Sequence, residues 1–107
     1  MYEYLAKVLK IVDGDTIHLE IDLGLETFRR IKCRLAGINA PEMNTEAGPL
    51  AKEFLAKCIP VGTTVRIETI KDRTEKYGRY LVFVSDINTT GPTINEVMLQ
   101  RGYAVPY

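Results

Sequence analysis

Thr16-Ile17-His18-Leu19-Glu20-Ile21-Asp22-Leu23 alternates polar and apolar side chains without a break. A period of two marks a strand with one face buried and the other wet, because successive side chains point to opposite faces. Turn signals flank it. Asp13-Gly14-Asp15 precedes it and Leu23-Gly24-Leu25-Glu26 follows, so neighbouring strands are expected on both sides.

Upstream, residues 4–12 are β-rich and mixed with lysines, a first strand. Downstream, residues 27–38 read as a long third strand whose phase slips around Arg29 to Lys32, where a bulge or strong coil is expected. Residues 39–48 are a polar loop, and a helix follows from Thr45 or Glu46 to Cys58. Its apolar face is read as Leu50, Phe54 and Cys58 with Ala47, Ala51 and Leu55. Pro49 then falls in the first turn, where a missing N–H is harmless, and Pro60 and Gly62 close the helix. Residues 64–70 and 79–85 give two more strands, joined through the polar segment 71–78. After a loop at 88–92, Thr93-Ile94-Asn95-Glu96 is a capping box that opens a short helix to Arg101, stopped by Gly102. The order β-β-β-α-β-β-α makes a mainly-β, α+β chain. It is compatible with a five-stranded Greek-key barrel of the oligonucleotide/oligosaccharide-binding (OB) type with two helices, although several α+β folds share that order.

At 107 residues the chain is expected to be one domain, residues 1–107, and 46% hydrophobic with 26% charged residues argues against disorder. Fourteen basic and fourteen acidic residues cancel, so net charge gives no support to nucleic-acid binding by bulk attraction. Local charge differs: Arg29, Arg30, Lys32 and Arg34 fall in a stretch with no acid. Two cysteines, Cys33 and Cys58, lack zinc-ligand spacing and read as small buried hydrophobes rather than a bridge. No apolar run is long enough to span a membrane. Met1-Tyr2-Glu3-Tyr4 does not begin a signal peptide, so the chain is expected to be cytoplasmic as it stands, or secreted if a signal has been removed.

Chemistry is concentrated in three polar knots: Asp13-Gly14-Asp15-Thr16, the stretch from Arg34 to Glu42, and Lys76-Tyr77-Gly78-Arg79. The middle one carries an arginine at one end, ends its strand at Pro41, and presents Glu42 just beyond. Together they suggest one site that handles a polyanion. Taken singly, each residue also has a bland reading. Asp13 and Asp15 form turns, Glu42 is a solvated loop acid, Arg34 belongs to a basic strand face, and Arg79 pairs with Glu75 or Asp72. His18 lies in the polar register of its strand and is given no catalytic role.

The ordered set Val12-Asp13-Gly14-Asp15-Thr16, Arg34-Leu35 through Pro41-Glu42, Lys76-Tyr77-Gly78-Arg79, Asn95-Glu96 and Gly102-Tyr103-Ala104 resembles the staphylococcal nuclease (thermonuclease) family. That resemblance implies a calcium-dependent phosphodiesterase on an OB-type barrel, acting on DNA or RNA and leaving 3′-phosphates. It implies that Asp15 is a calcium ligand and that Ala40 lends calcium its carbonyl, leaving its side chain free to vary. It further implies Glu42 as general base, Arg34 and Arg79 as phosphate-binding arginines, and Lys76 and Tyr77 near the nucleotide. One position departs from the pattern: Asn39 stands where the family has a second calcium-binding aspartate. An amide oxygen can still meet a hard cation, but it brings no charge, so weaker binding is expected. Three functional readings stay open: an active nuclease, a monomer acting on DNA or RNA; an impaired OB module that binds nucleic acid or a protein partner; and a structural domain of a larger protein.

Overall fold

The computed structural model describes residues 2–74, 79–88 and 90–107, with the backbone alone at 71–74. Three antiparallel strands, β1 (Tyr2–Asp13), β2 (Thr16–Asp22) and β3 (Phe28–Leu35), open the chain. A turn at Ala36 and Gly37 leads to a short β4 (Ile38–Asn39), then helix α1 (Ala47–Cys58). Strands β5 (Thr64–Thr74) and β6 (Tyr80–Asp86), helix α2 (Ile94–Gln100) and a short β7 (Val105–Pro106) follow. The five long strands close into a barrel in the order β1-β2-β3-β6-β5, with β1 and β5 pairing to complete the ring. The seam between β3 and β6 is parallel and joins Cys33–Leu35 to Tyr80–Val82. The mainly-β fold with a five-stranded barrel and two helices is the one the sequence predicts.

The inner faces follow the period of two. Ile17, Leu19 and Ile21 of β2, Cys33 and Leu35 of β3, Val65 and Ile67 of β5, and Val82 and Val84 of β6 are all buried. Ala51 and Leu55 of α1 and Ile94 and Met98 of α2 complete the core. Each fully buried aliphatic side chain contributes roughly 1.5–3 kcal/mol.

Strand β5 runs on to Thr74, past the expected end at residue 70, and three further features differ from the sequence reading, each for a physical reason. The third strand is shorter than 27–38, because the Ala36–Gly37 turn breaks it and Ile38–Asn39 pairs instead with β7, an element the sequence did not signal. No bulge interrupts β3, whose register with β2 is continuous from Phe28 to Arg34. The irregularities lie in β1, between Val8 and Lys10 and between Ile11 and Asp13, where one strand curls to serve both β2 and β5. The phase slip at Arg29 and Arg30 instead marks a strand end with β2 on one side, past its pairing with β6, where charge is tolerated on both faces. Finally, α1 buries Gly48, Ala51 and Leu55, while Leu50 and Ala47 face solvent. A methyl group at Gly48 would overlap the Glu42 carbonyl, so this close approach turns the glycine inward and Leu50 out. Pro49 does lie in the first turn.

The capping box is present: Thr93 Oγ1 accepts from Glu96 N at 3.1 Å. The buried side chain of Asn95 fastens α2 to the barrel. Its amide donates to the carbonyls of Ala36 (2.8 Å) and Val82 (3.1 Å), and its Oδ1 accepts from Val84 N at 3.0 Å. Phe54 stacks on Tyr103 with ring centroids 4.2 Å apart, joining α1 to the segment after α2. Both cysteines are free; Cys33 is buried and Cys58 half-buried.

Burial pushes the Cys33 thiol from its ordinary value of 9.0 up to about 12. Between those values the unfolded chain has released a proton that the native one retains, so this group makes stability fall as pH rises above 9.0. Urea titrations of wild type and Cys33→Ala from about pH 8 to about pH 11 should show the wild type losing ground as pH increases. A difference that stays constant across that range would show that the thiol is not shielded.

Candidate functional site

The β1–β2 turn begins as an Asx turn, with Asp15 N donating to Asp13 Oδ1 at 3.0 Å. Burial first, then the neighbouring Asp15 carboxyl, pushes the Asp13 carboxyl above its ordinary value. Gly14 lets the turn sit close to two other elements. A methyl group there would lie 2.7 Å from Ala40 Cβ and 2.9 Å from Ala51 Cβ. Ala40 is itself buried, with its methyl group beside the Gly14 turn.

Asp15, 7% exposed, is the hub. Its Oδ1 accepts from Thr16 Oγ1 at 3.1 Å, and its Oδ2 accepts from Ala40 N at 2.8 Å and Arg34 Nη2 at 3.4 Å. Arg34, equally buried, also donates through Nη1 to the Ile38 carbonyl and through Nη2 to Asn39 Oδ1, both at 3.1 Å. The ring of Tyr107 covers the Arg34 guanidinium at 4.5 Å from its centroid, a cation–π contact. Tyr107 is held there by the β4–β7 pairing and by its N–H donating to the Gly37 carbonyl at 3.1 Å. Arg79 reaches the same knot from the start of β6, donating from Nη1 to Thr16 Oγ1 at 2.9 Å.

Of the residues singled out in the sequence, the structure therefore joins Asp15, Arg34, Asn39 and Ala40 directly and Arg79 through Thr16. Glu42 lies two residues beyond Ala40, exposed, and its carboxylate takes no part in those bonds. Its main chain is fixed, since its carbonyl accepts from Thr45 N at 3.1 Å and Thr45 Oγ1 at 2.6 Å. Lys76 and Tyr77 lie outside the described residues. Two contributors were missed. Thr16 stands inside the quoted Asp-Gly-Asp-Thr motif yet looked like an ordinary strand residue. Tyr107 carried no signal, because only the β4–β7 pairing brings it over Arg34.

Among the described residues no group of three or more His, Cys, Asp or Glu is arranged to hold a metal ion. The knot offers oxygens of the type a hard cation takes: the Asp15 carboxylate, the Asn39 amide oxygen and the Ala40 carbonyl. They fit such an ion in chemical type while bringing one formal negative charge. The Arg34 guanidinium already lies against Asp15 Oδ2 and Asn39 Oδ1.

A small closed barrel with an acid–arginine knot at one end defines the class of protein. The family model for staphylococcal nuclease homologues matches residues 32–107, and the chain belongs to that family. The micrococcal nuclease of Shigella flexneri is 29% identical over 98% of this chain. The thermonuclease of Staphylococcus hyicus is 33% identical over 77%, and the endonuclease YhcR of Bacillus subtilis 28% identical over 98%. The chain spans 59%, 48% and 9% of the lengths of those three relatives, in that order.

The Asp15–Arg34 pair is nearly solvent-free, with side chains 10% and 9% exposed. Removing one partner leaves an uncompensated buried charge, which typically costs about 3–5 kcal/mol. Asp15→Asn should lower stability by that order in urea denaturation, and adding Arg34→Met should recover most of the loss. A loss below about 1 kcal/mol would show that solvent screens the pair.

Proposed function

We propose that this chain is a calcium-dependent nuclease that hydrolyses phosphodiester bonds of DNA or RNA, acts as a monomer, and leaves 3′-phosphates. The observation that carries the reading is the convergence of Asp15, Arg34, Asn39 and Ala40, with Arg79 joined through Thr16, in a chain of this family. A guanidinium is a planar fork of donors that matches phosphate oxygens and never deprotonates. Their preference for the more highly charged transition state is the source of rate. Glu42, on its anchored loop, accepts a proton from the water that attacks phosphorus. The P–O5′ bond breaks, and the departing oxygen takes up a proton to become a 5′-hydroxyl. Asp15, the Asn39 amide oxygen and the Ala40 carbonyl would hold calcium. Calcium held by these oxygens would supply Lewis-acid polarisation of the phosphate. Lys76 and Tyr77 contribute to nucleotide binding in this reading.

Asn39 favours a second reading, a module that binds without cutting, since its amide oxygen brings no charge and already accepts from Arg34. Digestion of single-stranded DNA and RNA with calcium or with EDTA separates the two. Calcium-stimulated cleavage is expected. Glu42→Gln should lower turnover by about 10²–10⁴-fold while leaving binding nearly intact. Equal loss of both would remove Glu42 as the base, and calcium-independent binding without cleavage would establish the module.

Calcium affinity follows ligand charge, so Asn39→Asp should tighten calcium binding by about tenfold or more in calorimetry. Unchanged affinity would show that this side chain does not reach the ion.

A further inference from the structure

Outside the knot, the outer face of the barrel is sorted by charge. Strand registry places Lys7, Glu20 and Arg30 in one row across β1, β2 and β3. It sets one acid between two cations, and Arg30 Nε bonds Glu20 Oε2 at 3.0 Å. The next row toward the knot is Lys10, His18 and Lys32. It contains no acid, and among the described residues neither lysine is in an ion pair. A further two-residue step along β2 and β3, about 7 Å, reaches Thr16 and Arg34. Period two keeps the β2 and β3 members of the rows on one face, and the irregularity between Val8 and Lys10 brings Lys10 onto it beside Lys7. An open groove of about 470 Å³ runs along this face, lined by Lys10, His18, Lys32 and Arg79, with Asp13 and Thr16 at the knot end. The row itself spans roughly 10 Å across three strands.

We infer that Lys10, His18 and Lys32 form a track for the phosphates of a single nucleic-acid strand, extending the substrate away from the Arg34–Arg79 site. The inference rests on the nuclease reading and adds to it a requirement for length. A strand seated at the arginines must continue somewhere, and this groove is the basic surface that Arg79 itself lines. Lysines suit the task, because a flexible point charge follows a backbone without reading sequence. Neutral net charge is no obstacle, since this row sets two lysines together without an acid such as the Glu20 of the neighbouring row. Desolvation, then the charges of Lys32 and Lys10, lower the His18 imidazole below its ordinary value. The other charged groups lining its groove are Asp13 and Arg79. The imidazole is thus an uncharged donor flanked by two cations at neutral pH.

The test uses fluorescent dT12 and dT2 with the whole chain in EDTA, binding read by anisotropy across salt concentrations. Replacing both exposed lysines, Lys10→Gln with Lys32→Gln, should weaken dT12 binding and leave dT2 unchanged. The slope of log affinity against log salt should become shallower by about 1.4, two phosphate contacts at about 0.7 each. Lys7→Gln with Arg30→Gln removes the same formal charge from the row that holds Glu20 and should change the slope less. This protein has one histidine, so its proton resonances report His18 alone. Its pKa should rise when wild type binds dT12, because phosphate offsets the lysines. An unaltered slope, equal losses in both double variants, an unmoved His18, or no dT12 binding by wild type would overturn the track. Cleavage of dT2 in calcium, with Arg34→Ala as control, tests the nuclease reading separately, since that substrate is too short to use the track.

Discussion

A buried carboxylate must have its oxygens satisfied, and Asp15 meets that demand with groups from separate parts of the chain. The hydroxyl of Thr16 starts β2, the guanidinium of Arg34 ends β3, and the N–H of Ala40 opens the loop to α1. These bonds fix where the loop leaves the barrel and which way Arg34 points. An ion pair this dry is a poor source of net stability, because desolvation offsets much of its attraction. Its consequence is positional: any arrangement that moved Arg34 away would strand both charges.

The surroundings hold the knot by shape rather than by charge. Gly14 admits Ala40 and Ala51 to near contact, and Gly48 admits the Glu42 carbonyl. Asn95 binds the Ala36 carbonyl just past Arg34 and thereby ties that turn to β6. The three features meet the chain before, within and after the knot. Loop residues 40–48 are therefore set by backbone packing and hydrogen bonds, which leaves the exposed Glu42 carboxylate on a defined base.

Alternation along Thr16–Asp22 and the turn residues on either side made the barrel strands legible, since burial on one face imposes that period directly. The helix at Thr93 was legible through its cap. Less visible was anything set by a contact distant in sequence. Leu50 fits the apolar stripe of α1 by spacing, yet the approach of Gly48 to Glu42 turns it outward. The slip at Arg29 resembled a bulge, and only the short pairing with β6 reveals a strand end wet on both faces. The knot's members were recognisable as a set of acids and arginines, whereas Tyr107 over Arg34 follows from a two-residue pairing too short to leave a pattern. Net charge hid the sorting of rows on the outer barrel face, because strand registry, not composition, decides which cations meet an acid.

The parallel seam between β3 and β6 has a kinetic meaning. It aligns Arg34 with Leu81, so the strand carrying the buried guanidinium finds its second neighbour only after the far half of the chain has been made and folded back. Loop-closure entropy opposes such remote pairings and makes them late events. The antiparallel β1–β2–β3 meander can gather early from local contacts. Its charged end acquires a finished geometry only with barrel closure, so the end that holds Asp15 and Arg34 matures after most of its scaffold.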